Sequence, residues 1–171
     1  MVNRLIKDRR PVRGVMDEDL KKIRAIAEYQ FGGGAGAVLF PDDVRVIYSR
    51  NTGRIRHIHL CDTLQASFRP NDGFFTLTIA AAERLVAKVS DLAYTVTIND
   101  EASEFVSHGK NVFAKHVLCA GEKIRPGDEV IIVSENKRVI GVGKALLTSG
   151  EMRVFKTGVA VKTRRGSETD A

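Results

Sequence analysis

The sequence predicts an α+β protein of two small units: an N-terminal α+β sheet domain followed by a C-terminal mixed β-barrel. Three observations predict it. Leu20, Ile23, Ala27 and Phe31 fall on one helical stripe near the start of the chain, the spacing of a helix that buries one face. Short β-rich runs punctuated by turn residues come next. From Tyr94 onward, β-branched runs recur at close intervals, a pattern that suits a small barrel.

The elements follow in order. Residues 1–15 form a basic arm in which Arg9-Arg10-Pro11 discourages helix, because proline pushes its predecessor toward extended backbone. Asp17, Glu18 and Asp19 favour the positive end of a helix dipole, and a helix is predicted over 17–29. It should stop at Phe31-Gly32-Gly33-Gly34-Ala35-Gly36, where no regular helix is expected to persist. Strands are predicted at 44–48, 55–60 and 64–68, with Asn51-Thr52-Gly53 as the turn of a hairpin. After the turn at Arg69-Pro70-Asn71-Asp72-Gly73, a fourth strand begins at Phe74 and runs into a helix through Ala80–Val86. This first unit spans 16–92 and reads as one sheet with helices at its two ends.

The second unit spans 93–166. A strand over Tyr94–Ile98 precedes a short helix over Asp100–Val106, and further strands are predicted at Val112–Leu118, Glu129–Ser134, Val139–Leu146 and Gly158–Thr163. The tail, 167–171, is expected to fray.

Charge is distributed unevenly. Lys and Arg number 27 against 21 Asp and Glu, a formal charge of +6. The excess sits at the two ends: residues 1–14 carry five basic side chains against Asp8 alone, and residues 105–171 carry 12 basic against 7 acidic. Clustered positive charge favours polyanionic partners through field strength and counterion release. Only Cys61 and Cys119 are present, which excludes a disulfide framework and a four-cysteine zinc site and suits a reducing cytoplasm. No apolar run approaches the roughly 20 residues that span a bilayer, and the basic N-terminus lacks the apolar segment of a secretory signal.

Candidate chemistry is sparse. His57, His59 and Cys61 alternate, so a strand would bring all three to one face, but no fourth ligand stands nearby and no metal or cofactor is expected. The glycine run Gly32–Gly36 lacks the following Gly-Lys-Ser/Thr of a nucleotide-binding loop, and a helix rather than a strand precedes it. It reads as a helix stop with tight packing. No Ser/His/Asp order or carboxylate pair stands out as a catalytic set, and no enzyme activity is expected of this chain.

The order of motifs in the second unit carries a resemblance. The strand and short helix lead into His108-Gly109-Lys110-Asn111-Val112; later come Ile124-Arg125-Pro126-Gly127-Asp128-Glu129-Val130 and Gly141-Val142-Gly143-Lys144-Ala145, and the last strand ends in Lys162-Thr163-Arg164-Arg165-Gly166. This unit resembles a PUA domain, so the barrel is expected to be of PUA type. The resemblance implies an RNA-facing groove formed by Gly109, Lys110, Asn111 and Val112 with Lys115, and by Lys162, Arg164 and Arg165 opposite. A glycine permits close backbone approach and exposes main-chain donors, and the basic side chains suit phosphates.

In the first unit, the segment from Arg24 to Gly36 resembles one in the archaeal archaeosine tRNA-guanine transglycosylases and their paralogues, where it belongs to a small α+β domain just before a PUA domain. The chain is therefore similar to the C-terminal two domains of those enzymes, over about 16–166. The resemblance does not reach their catalytic barrel, its paired aspartates or its cysteine-rich zinc site. It implies an archaeal RNA-binding protein whose partner is tRNA and whose role lies in tRNA modification, with a separately encoded tRNA-modifying enzyme as a further expected partner.

Overall fold

The structure is a computed structural model that describes residues 16–90 and 92–169; the predicted basic arm lies outside the described residues. Helix α1 (Asp17–Phe31) buries Leu20, Ile23, Ala27 and Phe31, the predicted stripe, together with Gln30. It ends at Gly32, whose φ is 102°. The glycine run departs from expectation, because a second helix, α2 (Ala35–Leu39), begins inside it. The physical reason lies in Glu28: its carboxylate accepts from the Gly34 and Gly36 amides at 2.7 and 2.9 Å, which satisfies donors that a helix start otherwise leaves open. Gly36 is required by close packing, since a Cβ there would sit 2.7 Å from the Arg24 carbonyl oxygen. With the loop's donors taken by Glu28, the run is a packed helix junction.

Strands β1 (Arg45–Tyr48), β2 (Ile55–Leu60), β3 (Thr63–Phe68) and β4 (Phe75–Leu77) form an antiparallel sheet in chain order. Val46, Ile58, Ala66 and Leu77 bury one face of it in a core shared with α1, α2 and α3 (Ile79–Lys88). Strand β4 is an edge, and edge strands expose unpaired backbone groups. Here side chains close it. The Gln30 amide both donates to the Phe75 carbonyl oxygen and accepts from the Phe75 N–H, at 2.7 and 2.8 Å. Leu77 is closed in the same way by Glu129 and Arg164 of the second unit.

The second sheet has six strands in the order β6-β10-β9-β8-β5-β7: β5 (Thr95–Ile98), β6 (Val112–Phe113), β7 (Val117–Ala120), β8 (Glu129–Val133), β9 (Val139–Ala145) and β10 (Val159–Gly166). The β5–β8 pair is parallel and the remaining pairs are antiparallel, which makes the sheet mixed, as predicted. The single strand expected at 112–118 is broken into β6 and β7 by a 3₁₀ turn at Ala114–His116. That break matters: the two end strands of the sheet are consecutive in the chain, and one tight turn draws the sheet round into a near-closed barrel. Helix α4 (Asp100–Ser107) matches expectation. Helix α5 (Ser149–Val154) was not predicted; it starts with a capping box in which Thr148 and Glu151 satisfy each other's backbone donors.

The two units are packed together through β8. All five of its residues are buried. Val130 and Ile132 face the barrel core, whereas Ile131 and Val133, with Val139 and Val142 of β9, join the core of the first unit. Burial on both faces accounts for the uninterrupted apolar run Val130–Val133.

Candidate nucleic-acid interface

The Gly109 corner follows from how α4 ends. His108 closes the helix, and Gly109 adopts φ 86°. The Gly109 N–H donates to the Val106 carbonyl oxygen at 2.9 Å and the Lys110 N–H to that of Phe105 at 3.0 Å. These two bonds form a Schellman motif with glycine at its left-handed position. The corner is then fastened to β10. The Asn111 Oδ1 accepts from the Thr163 N–H at 3.1 Å, and Gly166 passes so close to α4 that a Cβ would lie 2.0 Å from the Ser107 carbonyl oxygen.

Beside this corner lies an open cavity of about 760 Å³, bounded by α4, Lys110 and Asn111, β6, the 3₁₀ turn and the turn at 156–158. Lys110, Lys115 and Lys156 line it against one carboxylate, Glu101. Two aromatic side chains also line it and remain largely open to solvent, Phe105 at 62% and Phe113 at 46%. Exposed aromatic faces set among cations suit nucleobase stacking beside phosphate neutralisation.

The residues predicted for an RNA-facing groove divide in the structure. Lys110, Asn111 and Lys115 line the cavity, and Gly109 precedes them at the corner beside it. Val112 does not offer its side chain: it is fully buried in the barrel core, because β6 alternates one residue in and one out. Arg164 is a correction too. It points away from the groove, donates to the Leu77 carbonyl oxygen at 2.8 Å and pairs with the buried Glu129 carboxylate, so it joins the two units. Lys162 is exposed and stands opposite Lys144, which in turn stands opposite Glu129; cross-strand partners share a face, so Lys162 lies on the outer face of the barrel. Arg165 follows the irregularity between Thr163 and Arg165 and is exposed.

Sequence reasoning missed Phe105, Phe113 and Lys156. The phenylalanines stand four residues before and four after Gly109, a signal that was legible. Lys156 was not, since the Ala114 N–H bond to the Gly158 carbonyl oxygen brings its turn to β6 from more than forty residues away.

The histidine–cysteine alternation does not form a metal site. Cys61 lies beyond the end of β2 in a turn with φ 47°, and among the described residues no group of three or more His, Cys, Asp or Glu could hold a metal ion. Among those residues no helix is long and apolar enough to cross a membrane.

Comparison with known proteins agrees with this geometry. Residues 21–91 match the family model for the patch-forming domain C2 of tRNA-guanine transglycosylase, and residues 94–167 match the PUA domain. The chain is 45% identical to the tRNA-guanine(15) transglycosylase of Methanothermobacter thermautotrophicus over 149 residues, which cover 87% of this chain and 23% of the relative. It is also 45% identical to that of Pyrococcus furiosus over 146 residues, covering 85% of this chain and 24% of the relative. The chain thus spans about a quarter of the length of the curated relatives it matches. A crystal structure of a hypothetical protein from Pyrococcus horikoshii shares the fold, with a TM-score of 0.74 at 21% identity, over 93% of this chain and 99% of that one. Over 21–167 the chain is thus similar to a C2 patch-forming domain followed by a PUA domain, the C-terminal two-domain part of the archaeal tRNA-guanine transglycosylases.

Proposed function

We propose that the chain binds RNA, with tRNA as its ligand class, through the groove beside Gly109, and that this binding serves tRNA modification. The observation that carries the reading is the groove's composition: three lysines and two solvent-open phenylalanines beside the end of α4. Lys110, Lys115 and Lys156 would neutralise phosphates, while Gly109 and Asn111 let the ribose-phosphate chain approach. Lys162 and Arg165 would extend the contact onto the outer face of the barrel. The choice of tRNA rests on the relatives, whose names state that they act on it.

Binding rather than catalysis is the reading the titratable groups favour. The groups with shifted pKa have structural causes. Glu129 is raised by burial; His59 is lowered by burial and by Arg45; Tyr94 is raised by burial and Asp128; Glu151 is lowered by its Thr148 cap. None of the four lines the groove. The chain would then supply RNA binding to a tRNA-modifying enzyme.

The test is fluorescence anisotropy with a labelled tRNA transcript over a range of salt. Replacing Lys110, Lys115 and Lys156 together by Ala should weaken binding and flatten the dependence of log K on log salt by roughly two units, since each lost phosphate contact removes about 0.7–0.9. Unchanged affinity and slope would overturn the assignment of this groove.

A further inference from the structure

His116 lines the groove and takes no part in the contacts described above. It closes the 3₁₀ turn, half-buried, next to Lys115 and on the same turn that Phe113 leads into. Its backbone is fixed: the Asn99 N–H donates to the His116 carbonyl oxygen at 3.0 Å, and the Ala114 N–H ties the start of the turn to the Gly158 carbonyl oxygen at 3.0 Å. The ring is not tied in that way. Its Nδ1 is sealed from solvent and has no hydrogen-bond partner. Buried polar atoms are normally paired, so an orphan of this kind asks for a reason.

The orphan decides where the ring carries its proton. In a neutral imidazole one nitrogen is a donor and the other an acceptor. A buried N–H without an acceptor is rarer than an acceptor left open, so the proton belongs on Nε2. Among the described residues Nε2 has no partner either, but it is not enclosed, so His116 offers the cavity it lines an open N–H. Its neighbours divide the rest of the work. Lys110, Lys115 and Lys156 supply charge, and Phe105 and Phe113 supply apolar faces. A fixed, uncharged donor is a weaker match for a phosphate than those cations are, and it is no match for the face of a base. It suits a hydroxyl. The ribose 2′-hydroxyl lies between base and phosphate, both donates and accepts, and is the group that separates RNA from DNA.

We infer that His116 is a specificity-determining residue of the groove: its Nε2–H donates to a ribose 2′-hydroxyl oxygen, and the groove thereby selects RNA over DNA. This inference rests on the RNA-binding reading above and deepens it. Stacking and phosphate contacts are the same with or without the 2′-oxygen, so lysines and phenylalanines alone would not tell the two polymers apart. With a base on Phe113 and a phosphate at Lys115, the sugar that joins them is carried to the turn that His116 closes. The backbone bonds from Asn99 and Ala114 hold that turn before any ligand arrives, which keeps the donor in place.

The full chain would be titrated at about pH 8, above the range in which imidazole ordinarily charges, with a labelled tRNA transcript and with a DNA of the same sequence. Low salt keeps the DNA complex measurable, because phosphate contacts strengthen as salt falls. The wild type should prefer the RNA. His116→Phe and His116→Ala should each weaken tRNA binding about three- to tenfold, the worth of one hydrogen bond. The DNA affinity and both salt slopes should stay as they were, so the preference for RNA falls by the same factor. His116→Gln keeps an uncharged N–H donor and should restore part of that preference. A role in folding alone would lower both affinities together, and urea unfolding of each variant measures it separately. No preference in the wild type, unchanged tRNA affinity in the variants, equal losses for RNA and DNA, or a changed salt slope would each overturn the ribose contact while leaving the groove assignment standing. Absence of tRNA binding by the wild-type chain would overturn both.

Discussion

Glu129 on β8 and Arg164 on β10 meet around a single residue of the other domain, Leu77. The Glu129 carboxylate accepts from the Leu77 N–H at 3.0 Å, and the Arg164 guanidinium donates to the Leu77 carbonyl oxygen at 2.8 Å while pairing with Glu129 itself. Two side chains thus do what a neighbouring strand would do for the edge strand β4, and they come from a different domain. The hydrophobic contact of Ile131, Val133, Val139 and Val142 with the first core supplies area; the Leu77 contact supplies direction, because hydrogen bonds fail when one domain slides along the other.

Removing one partner of this pair should be costly. Glu129→Ala leaves Arg164 and the Leu77 amide without their acceptor at a site where the Glu129 side chain is 2% exposed. We expect a loss of about 2–3 kcal/mol by urea unfolding, below the range for a wholly buried pair because Arg164 still meets water. Arg164→Ala should cost at least as much as Glu129→Ala, because it strands the buried carboxyl, and the double mutant should cost less than the sum, giving a coupling of about 1 kcal/mol or more. Additive losses would show that the two side chains act separately.

The same carboxyl makes stability depend on pH in a definite direction. Burial pushes the Glu129 pKa above its ordinary value, and Arg164 and the Leu77 N–H oppose this only in part. A carboxyl that holds its proton more tightly folded than unfolded contributes stability that is complete below the unfolded value and lost as pH rises through the folded one. The stability of the wild type relative to Glu129→Gln, which cannot titrate, should therefore fall as pH is raised above about 4.5, the ordinary glutamate value. Urea unfolding of both proteins at a series of pH values checks it; a constant difference, or one that grows with pH, would contradict the direction.

These long-range contacts were the part of the molecule least legible in the sequence. The α1 stripe, the hairpin strands and the helix after Asn99 follow from periodicity and turn chemistry acting within a few residues, and they appear where expected. Arg164 read as a surface cation because nothing local announces that Glu129, thirty-five positions away, is buried. Val112 read as a groove residue when its side chain is the inward one of a two-residue strand. By contrast, Thr148 and Glu151 stand at the spacing of a capping box, and Phe105 and Phe113 flank Gly109 symmetrically; both signals were present and local. Helix α2 escaped because glycine-rich sequence carries low helix propensity, which the Glu28 carboxylate offsets from outside the run.

Two glycines at the groove should respond differently to alanine. Gly109 has φ 86°, and an added Cβ would meet only the Thr169 Cγ2 at 3.6 Å, an ordinary contact. The cost of Gly109→Ala is then conformational, about 1 kcal/mol, and Gly109→Asn should recover part of it, since asparagine tolerates the left-handed region. Gly166 does not have positive φ, but its Cβ would lie 2.0 Å from the Ser107 carbonyl oxygen. Gly166→Ala must push α4 from β10, and we expect a loss of about 3 kcal/mol or more. Equal costs measured by urea unfolding would refute this distinction between strain and collision.

Stacking and charge can be separated at the groove itself. Phe105 and Phe113 are largely exposed, so truncating either to Ala should change folding stability little, by roughly 0.5 kcal/mol. If each supports a base, tRNA affinity should fall by about 1–3 kcal/mol per ring, and the salt slope should stay as it was, because no phosphate contact is lost. The lysine substitutions should do the reverse at high salt, where their contribution is already screened and the wild type and variants converge. A phenylalanine variant that loses affinity only in proportion to a changed salt slope would mean that the rings merely position Lys110 and Lys115, and that bases do not rest on them.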